Sequence, residues 1–434
     1  MPRLVSRVNR ILVCSAFSLS VVLGAKAAAQ QPSGAAPASV DRVTGWRSDL
    51  AWWMDQLRKQ HYVYRAKPLP ADLLKGAEDL SRHIPDYSDD RVLYEFEHLA
   101  SYVGDGHTYV LPLGAQRAPG NMLPLRFYLF SDGMFVIDAN PGYEKWIGSK
   151  LVSIGPVTTA KILDGMKATI SADNPFGYKW IGPPFLSLKG FLEYATNSRL
   201  GDSATVTVID RAGNRQRVTL PFSPPPRMQG IPKLMASRLP GAPPVPLWLQ
   251  DVKRNFWMKQ LSSTNLYVQF NQVEDAPGHA LKQAGAELDS ALKTQKASTL
   301  ILDVRHNNGG NSYLYPPVID ALTAWEAAMP QGKLYVLTGR NTFSAAQNFI
   351  AQLDKRTRAI FVGEPSSSKP NFVGEENDMQ LPWSGAIASI SNRYHENIPG
   401  DTRGWIEPAI KIELSSKDYF ANRDPILDRL LRAR

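Results

Sequence analysis

The sequence predicts a multi-domain protein of the α/β class, with a helical region first, a small β-rich module second and an α/β domain last. Three amphipathic helical stretches occupy residues 46–103, where apolar side chains recur every three or four positions. Short apolar strands with few helices follow over residues 125–222. Strands that alternate with helices then fill residues 266–414, which is the pattern of an α/β core.

Residues 1–29 have the anatomy of a secretory signal peptide. Three arginines form a basic front, an apolar stretch covers residues 11–24, and small residues complete the segment. We therefore expect an exported protein, periplasmic or secreted, whose mature chain begins near Gln30. The apolar stretch is shorter than the roughly 20 residues that a transmembrane helix needs, and no later stretch qualifies. We expect no membrane span once the signal peptide is removed.

Charge and cysteine content exclude several classes of function. The chain contains 49 basic and 40 acidic residues, and removal of residues 1–29 takes away four basic residues and no acid, which lowers the net charge from +9 to +5. Because there is no long basic run, this mild excess predicts no nucleic-acid partner. The single cysteine, Cys14, lies inside the signal peptide. The mature chain therefore has neither a disulfide nor a cysteine nucleophile.

Composition divides the chain into six segments. They are a signal peptide at residues 1–29, a disordered leader at 30–39, an N-terminal helical domain at 40–118, the β-rich module at 119–222, a proline-rich linker at 223–260 and the α/β domain at 261–434. The leader is rich in small residues and proline. The module combines short strands with one helix, at residues 159–166, in an order similar to that of a PDZ domain.

One serine of the last domain lies where a strand turns into a helix. Residues 334–337 have the composition of a buried strand, residues 338–342 carry turn chemistry, and helical spacing begins at Phe343. Ser344 is therefore predicted in the first turn of a helix. Free amides and the positive end of the helix dipole stabilise an oxyanion there, as acyl transfer to a serine hydroxyl requires. The alternative is that Ser344 only caps the helix.

Three other segments contain candidate functional groups. His107 lies in a glycine-flanked turn, with more backbone freedom than a core histidine, and is either a turn residue or a proton acceptor. Gly309 and Gly310 follow a strand, where they form either a tight turn or half of an oxyanion hole. Lys369 follows another strand. If it is held dry near a serine, it can lose its charge and act as general base, whereas in a serine-rich loop a lysine is usually solvated.

Together these segments resemble the C-terminal processing protease family of serine peptidases, also called tail-specific proteases, and especially its tricorn-core branch. The resemblance runs from about Trp46 to the C-terminus. It rests on four motifs in the family's order, namely Gly104-Asp105-Gly106-His107-Thr108, Leu302-Asp303-Val304-Arg305 with the Gly309-Gly310 turn, Thr342-Phe343-Ser344-Ala345-Ala346, and Trp405-Ile406-Glu407-Pro408.

The resemblance implies a fold and an activity. It implies a C-terminal serine-peptidase core of the crotonase/Clp-like type and hydrolysis of a protein or peptide substrate through an acyl-enzyme on Ser344. The amide of Ala345 and a glycine amide from Gly309 or Gly310 would form the oxyanion hole. No cofactor or metal is expected, and the oligomeric state stays open.

Two general bases are possible under this resemblance. In the tricorn branch a histidine that matches His107 activates the serine, with a glutamate that matches Glu407 nearby, and in the processing branch a lysine that matches Lys369 does so. Gly106 stands where the tricorn branch has a serine. We favour His107, because an imidazole accepts a proton near neutral pH, whereas the pKa of a lysine must fall by roughly 3 units first.

The alternative function is a non-catalytic binding protein of the same fold that holds an apolar or peptide ligand. Five tryptophans, Trp52, Trp53, Trp180, Trp248 and Trp257, would then line an apolar cleft instead of packing in cores. A metallohydrolase and an α/β-hydrolase are disfavoured, because the chain contains neither a His-Glu-x-x-His nor a Gly-x-Ser-x-Gly motif.

Overall fold

The computed structural model describes residues 40–225, 233–239 and 243–432. The predicted signal peptide and leader lie outside these residues. The described chain contains three sheets with helices packed against them, and the predicted mixed class of helix and sheet is confirmed. Within the described ranges, every helix is too short or too polar to cross a membrane.

The N-terminal region consists of three helices and a short strand: α1 Arg42–Gln60, α2 Ala71–His83, α3 Asp89–Ser101 and β1 Tyr109–Val110. Asp41 and Ser88 cap α1 and α3, because their side chains accept hydrogen bonds from backbone N–H groups of the first turn. The apolar faces of the helices meet in one core, where Trp53 and Phe96 are fully buried. The structure thus has three helices where the sequence predicted three amphipathic helical stretches.

The β-rich module contains six strands: β2 Leu125–Phe130, β3 Gly133–Ala139, β4 Lys150–Ile154, β5 Val157–Thr158, β6 Ser203–Ile209 and β7 Arg215–Pro221. The sheet order is β2-β3-β4-β6-β7, with β5 paired to β4. Three helices belong to the module: α4 Thr159–Thr169, α5 Pro175–Phe185 and α6 Lys189–Thr196. The sequence predicted only α4. The helix α5 contains Pro183 and Pro184, which local propensity disfavours in a helix.

The last domain is built on a six-stranded sheet with the order β15-β12-β11-β10-β9-β8. Its strands are β8 Phe256–Gln260, β9 Asn265–Phe270, β10 Thr299–Asp303, β11 Lys333–Thr338, β12 Ile360–Gly363 and β15 Ile410–Lys411. Its helices are α7 Leu281–Gln295, α8 Pro316–Ala328, α9 Ala345–Arg356, α10 Ser416–Phe420 and α11 Pro425–Arg432. Neighbouring strands are parallel except β8, which pairs antiparallel with β9. Because β8 starts at Phe256, this sheet begins within the segment predicted as linker.

A hairpin of the last domain connects it to the N-terminal helices. The hairpin strands are β13 Phe372–Gln380 and β14 Ile387–His395, and β1 pairs antiparallel with β14. Strand β13 was not predicted, because most of its side chains are polar and exposed. Pairing of β1 with β14 brings the turn that contains His107 to the α/β domain.

Candidate active site

Ser344 lies between β11 and α9, as the sequence predicts. Its backbone has φ 54° and ψ −123°, and its side chain forms no capping hydrogen bond at the start of α9. The interpretation of Ser344 as only a helix cap is therefore disfavoured. A serine with positive φ is strained by about 1 to 3 kcal/mol, and such residues cluster at functional sites because the strain aims a reactive side chain.

The segment before Ser344 is held by bonds to the loop that follows β10. Thr342 Oγ1 donates to the carbonyl of Val304 at 2.9 Å, and Phe343 N–H donates to the carbonyl of Asn307 at 3.1 Å. Strands β10 and β11 are adjacent and parallel, so both loops leave the sheet at the same edge. The serine and the glycine turn therefore lie side by side.

Gly309 is in direct contact with the serine. At its φ of 110°, a Cβ atom would lie 2.7 Å from Ser344 Cβ and 2.9 Å from the Ala345 nitrogen, so only glycine fits. The Gly309 N–H donates to Asn307 Oδ1 at 3.1 Å. Among the described residues, the N–H groups of Ala345 and Gly310 form no hydrogen bond. Three N–H groups were predicted as oxyanion donors. Those of Ala345 and Gly310 are free of described partners, whereas Gly309 provides the space beside the serine.

The turn that contains His107 is organised by Asp105. The Asp105 carboxylate accepts hydrogen bonds from His107 N–H at 2.9 Å and Thr108 N–H at 2.7 Å. It also accepts from Ser391 Oγ at 2.7 Å, and it contacts His61 Nε2 at 2.9 Å. Burial alone would raise the pKa of Asp105, but the hydrogen bonds outweigh it and hold the pKa below its usual value. An ionised Asp105 thus fixes the backbone of the turn.

The imidazole of His107 is buried between two phenylalanine rings. Its ring centroid lies 4.4 Å from that of Phe343 and 5.4 Å from that of Phe372, with both pairs nearly parallel. Neither ring nitrogen of His107 has a hydrogen-bond partner among the described residues. The structure therefore brings His107 against the residue that precedes Ser344, without a hydrogen bond between the two catalytic candidates.

The same packing requires a glycine at residue 106. A Cβ atom at this position would lie 2.9 Å from the Phe343 ring. A side chain at residue 106 would push Phe343 away from His107. The absence of a side chain at residue 106 therefore permits the close contact between His107 and Phe343.

Two carboxylates near His107 were not predicted from the sequence. Asp173 Oδ1 accepts from Gly106 N–H at 2.9 Å, and burial raises the pKa of Asp173 to about 6, although its interaction with His107 acts in the opposite direction. Glu376 Oε2 lies 3.8 Å from His107 Nε2, and its side chain is 42% exposed. Either carboxylate would stabilise a positive charge on the imidazole. Local sequence signals point to neither residue.

Lys369 lies on a loop that packs against the nucleophile segment. Ser367 N–H donates to the carbonyl of Thr342 at 3.1 Å, and Ser366 Oγ donates to Gln347 Oε1 at 2.6 Å. Lys369 itself is half-buried and forms no hydrogen bond or ion pair with any described residue. Both predicted bases are thus on segments that touch the serine loop, and the choice between them stays a prediction.

Glu407 lies at the surface, away from the imidazole. Its carboxylate accepts a hydrogen bond from Trp405 Nε1 and pairs with Lys411. In the part of the chain that the structure describes, the carboxylate within ion-pair distance of His107 belongs to Glu376 instead. The orienting role assigned to Glu407 is not supported by these contacts.

Arg340, on the turn before Ser344, connects this turn to two other parts of the molecule. It forms a buried pair with Glu364, with distances of 2.8 Å from Nε to Oε2 and 2.6 Å from Nη2 to Oε1. Its Nη1 donates to the carbonyl of Leu129 in β2 at 2.6 Å and to that of Lys179 in α5 at 3.4 Å. The β-rich module is therefore attached directly to the nucleophile turn.

Comparison with solved structures identifies the fold. No protein-family model matches the chain. A mutant of CPAF aligns with 88% of this chain and 95% of its own, with a TM-score of 0.60 and 12% sequence identity. Mature CPAF complexed with lactacystin aligns with 88% of this chain and 96% of its own, with a TM-score of 0.59 and 13% identity. The fold is that of CPAF.

The similarity to CPAF extends over the N-terminal helices, the β-rich module and the α/β domain. The photosystem II D1 C-terminal processing protease also aligns, at a TM-score of 0.38 and 14% identity over 85% of this chain and 93% of its own. The predicted resemblance to the C-terminal processing protease family is confirmed at the level of fold. Within the CPAF fold, this chain places Ser344, Gly310 and His107 on three loops that meet.

Proposed function

We propose that this chain is a serine peptidase that hydrolyses protein or peptide substrates through an acyl-enzyme on Ser344. The observation that carries the proposal is the backbone of Ser344, which has φ 54° at the start of α9 and a hydroxyl that caps nothing. A serine that served only the fold would use its hydroxyl as a cap and avoid this strain. The CPAF fold supports the same conclusion.

The chemistry follows from the groups around the serine. Ser344 Oγ attacks the substrate carbonyl carbon, and the resulting oxyanion accepts hydrogen bonds from the N–H groups of Ala345 and Gly310. The general base takes the hydroxyl proton and passes it to the leaving amine, which leaves an ester on Ser344. Water then attacks the ester and releases the acid.

His107 is the base that the surroundings favour. A positive charge on its ring would be stabilised by Glu376 at 3.8 Å and by the buried Asp173. Lys369 forms no hydrogen bond or ion pair with the described residues, so no contact of this kind fixes its amine relative to Ser344. The processing-branch arrangement with Lys369 is therefore the second choice.

A fluorophosphonate probe tests the proposal, because it modifies only activated serines. We expect one adduct per chain, mapped to Ser344 by peptide mass spectrometry, and none in Ser344→Ala. The control Ser290→Ala changes an exposed serine of α7 and should label like wild type. A folded wild-type protein without an adduct would favour the non-catalytic binding protein.

We further propose that the protein is exported. The support is the basic front and apolar stretch of residues 1–29, which lie outside the described residues. Expression of the full chain in bacteria should give a periplasmic or secreted product that starts near Gln30. Intact mass and thiol titration test this, since a product that retains the thiol of Cys14 contradicts cleavage.

A further inference from the structure

His61, at the C-terminal end of α1, is a buried histidine whose hydrogen bonds define its protonation. It is 1% exposed, and its ring stacks on that of Tyr64 with centroids 4.6 Å apart. Its Nδ1 accepts hydrogen bonds from the N–H groups of Val63 at 3.2 Å and Tyr64 at 3.4 Å. Because only an unprotonated ring nitrogen accepts such bonds, the proton of the neutral ring lies on Nε2. His61 is therefore a donor at Nε2.

The acceptor for His61 Nε2 is the carboxylate of Asp105, 44 residues away in the chain. Nε2 donates to Asp105 Oδ2 at 2.9 Å, and Thr108 Oγ1 donates to the same oxygen at 3.1 Å. The other oxygen, Oδ1, accepts from His107 N–H, Thr108 N–H and Ser391 Oγ. His61 thus fixes one oxygen of the carboxylate, while the other oxygen holds the turn that contains His107.

His61 also supports the negative charge of Asp105. Burial raises the pKa of the Asp105 carboxyl group, and the hydrogen bond from His61 is the strongest of the interactions that lower this pKa again. The other titratable side chains that interact with Asp105 are His107, Asp173 and Tyr64. Asp173 is itself an acid, and burial raises the pKa of Tyr64 above its usual value of 10, so neither favours the ionised form of Asp105.

We propose that His61 is a positioning residue for the general base: through Asp105, it keeps His107 in stacking contact with Phe343, the residue before Ser344. Without the donor on Oδ2, the carboxylate is free to rotate or to take up a proton, and its hold on the His107 N–H is lost. This inference rests on the proposed peptidase with His107 as base. The helix α1 would then contribute to catalysis without contacting the substrate.

Two amide variants separate this role from a role in ending α1. In His61→Asn the amide oxygen replaces Nδ1 as acceptor, but the side chain is too short to donate to Asp105. In His61→Gln the longer side chain places an amide N–H near the position of Nε2 and restores the donor. The rate of Ser344 labelling by the fluorophosphonate probe reports serine activation and needs no known substrate. We expect this rate to fall about tenfold in His61→Asn and to stay within about twofold of wild type in His61→Gln.

Two further readouts would not respond to a purely structural role. In His61→Asn the pKa of Asp105 should rise, because its strongest donor is missing, so the ratio of wild-type to variant labelling rates should grow as the pH falls from about 8 to about 6. In a His107→Ala background, His61→Asn should cause no further loss, because no base remains to be positioned.

His83→Asn is the matched control. His83 lies in the last turn of α2 and its ring stacks on that of Tyr87 at 5.5 Å between centroids, but it is exposed. Its replacement should leave the labelling rate unchanged. If His61→Asn does not fold, His61→Phe provides the same test, because phenylalanine keeps the stack on Tyr64 and lacks the donor.

The outcomes distinguish this inference from the proposed function. A Ser344 adduct in wild type with an unchanged labelling rate in folded His61→Asn, or with equal losses in the Asn and Gln variants, overturns the role of His61 and leaves the peptidase standing. A full effect of His61→Asn in the His107→Ala background also overturns it. Absence of the adduct in wild type overturns the proposed function, and the role of His61 with it.

Discussion

The imidazole of His107 lies face to face with the ring of Phe343, the residue immediately before Ser344, with centroids 4.4 Å apart and an interplanar angle of 21°. Phe343 also contacts Trp180 of α5, at 5.3 Å between centroids. The turn of the N-terminal region, the nucleophile segment and the β-rich module therefore meet at one aromatic ring. The position of the proposed base relative to the nucleophile depends on this ring.

Replacement of Phe343 by leucine should lower peptidase activity without unfolding the protein. Loss of the stacking contact removes about 0.5 to 1.5 kcal/mol of interaction with the imidazole, so we expect kcat/KM to fall about twofold to tenfold. Phe420→Leu, in an aromatic cluster elsewhere, is the matched control and should keep wild-type activity. Equal losses in both variants would show that the effect is general destabilisation.

Ser344→Ala and Ser344→Gly should both be inactive but should differ in stability. Since the Ser344 side chain caps nothing, alanine loses little, whereas glycine relieves the positive φ of 54°. We expect the free energy of unfolding of Ser344→Gly to exceed that of Ser344→Ala by about 1 kcal/mol or more, measured by urea denaturation. Equal stabilities would mean that the backbone is not strained, and undiminished turnover in either variant would exclude Ser344 as nucleophile.

The general base can be identified with three variants and a pH–rate profile. With His107 as base, His107→Ala should lose activity by about 10²-fold or more, and Lys369→Ala should retain most of it. Glu376→Gln should reduce kcat more than Glu407→Gln, because Glu376 lies 3.8 Å from the imidazole. A rate that rises only well above neutral pH, together with an inactive and folded Lys369→Ala, would establish the lysine mechanism instead.

Glu97 should make the protein less stable as the pH rises. It is buried in α3, where its carboxyl group accepts from Val110 N–H and Ser171 N–H, and burial raises its pKa from 4.5 to about 8. The folded state therefore holds a proton that the unfolded state releases above about pH 4.5, so the stability present at low pH is lost as the pH rises toward about 8.

Glu97→Gln tests this sign. Between about pH 5 and 8, wild type should lose up to about 1.4 kcal/mol per pH unit relative to the variant, because the amide does not titrate. Urea denaturation of both proteins at several pH values gives the difference directly. A difference that does not change with pH would show that Glu97 is ionised in the folded protein.

Arg340→Met should destabilise the protein and reduce its activity. Removal of the guanidinium leaves the buried Glu364 without its partner, which should cost about 3 to 5 kcal/mol of unfolding free energy. Arg340→Met combined with Glu364→Leu should recover much of the stability, measured by urea denaturation. Activity should stay low in the double variant, because the bond to Leu129 of the module is still missing. Full recovery of kcat/KM would limit Arg340 to a structural role.

The sequence by itself determined the elements whose signals are local. Helical spacing identified α1 to α3, apolar strands alternating with helices identified the α/β core, and turn residues placed Ser344 at the junction of β11 and α9. Each of these features depends on the periodicity of neighbouring side chains, which can be read directly from the order of residues in the chain. The exposed polar strand β13 and the proline-containing helix α5 were not predicted, because they lack such a local signal.

Only the tertiary structure decided which groups surround the proposed base. Asp173, Glu376 and Phe372 reach His107 because β1 pairs with β14 and α5 packs beside the nucleophile turn, contacts between segments that lie far apart in the chain. Glu407, which belongs to one of the four motifs, is instead paired with Lys411 at the surface. The sequence specifies which charged residues the chain contains. Which of them become electrostatic partners depends on distances of a few ångströms, and packing alone sets these distances.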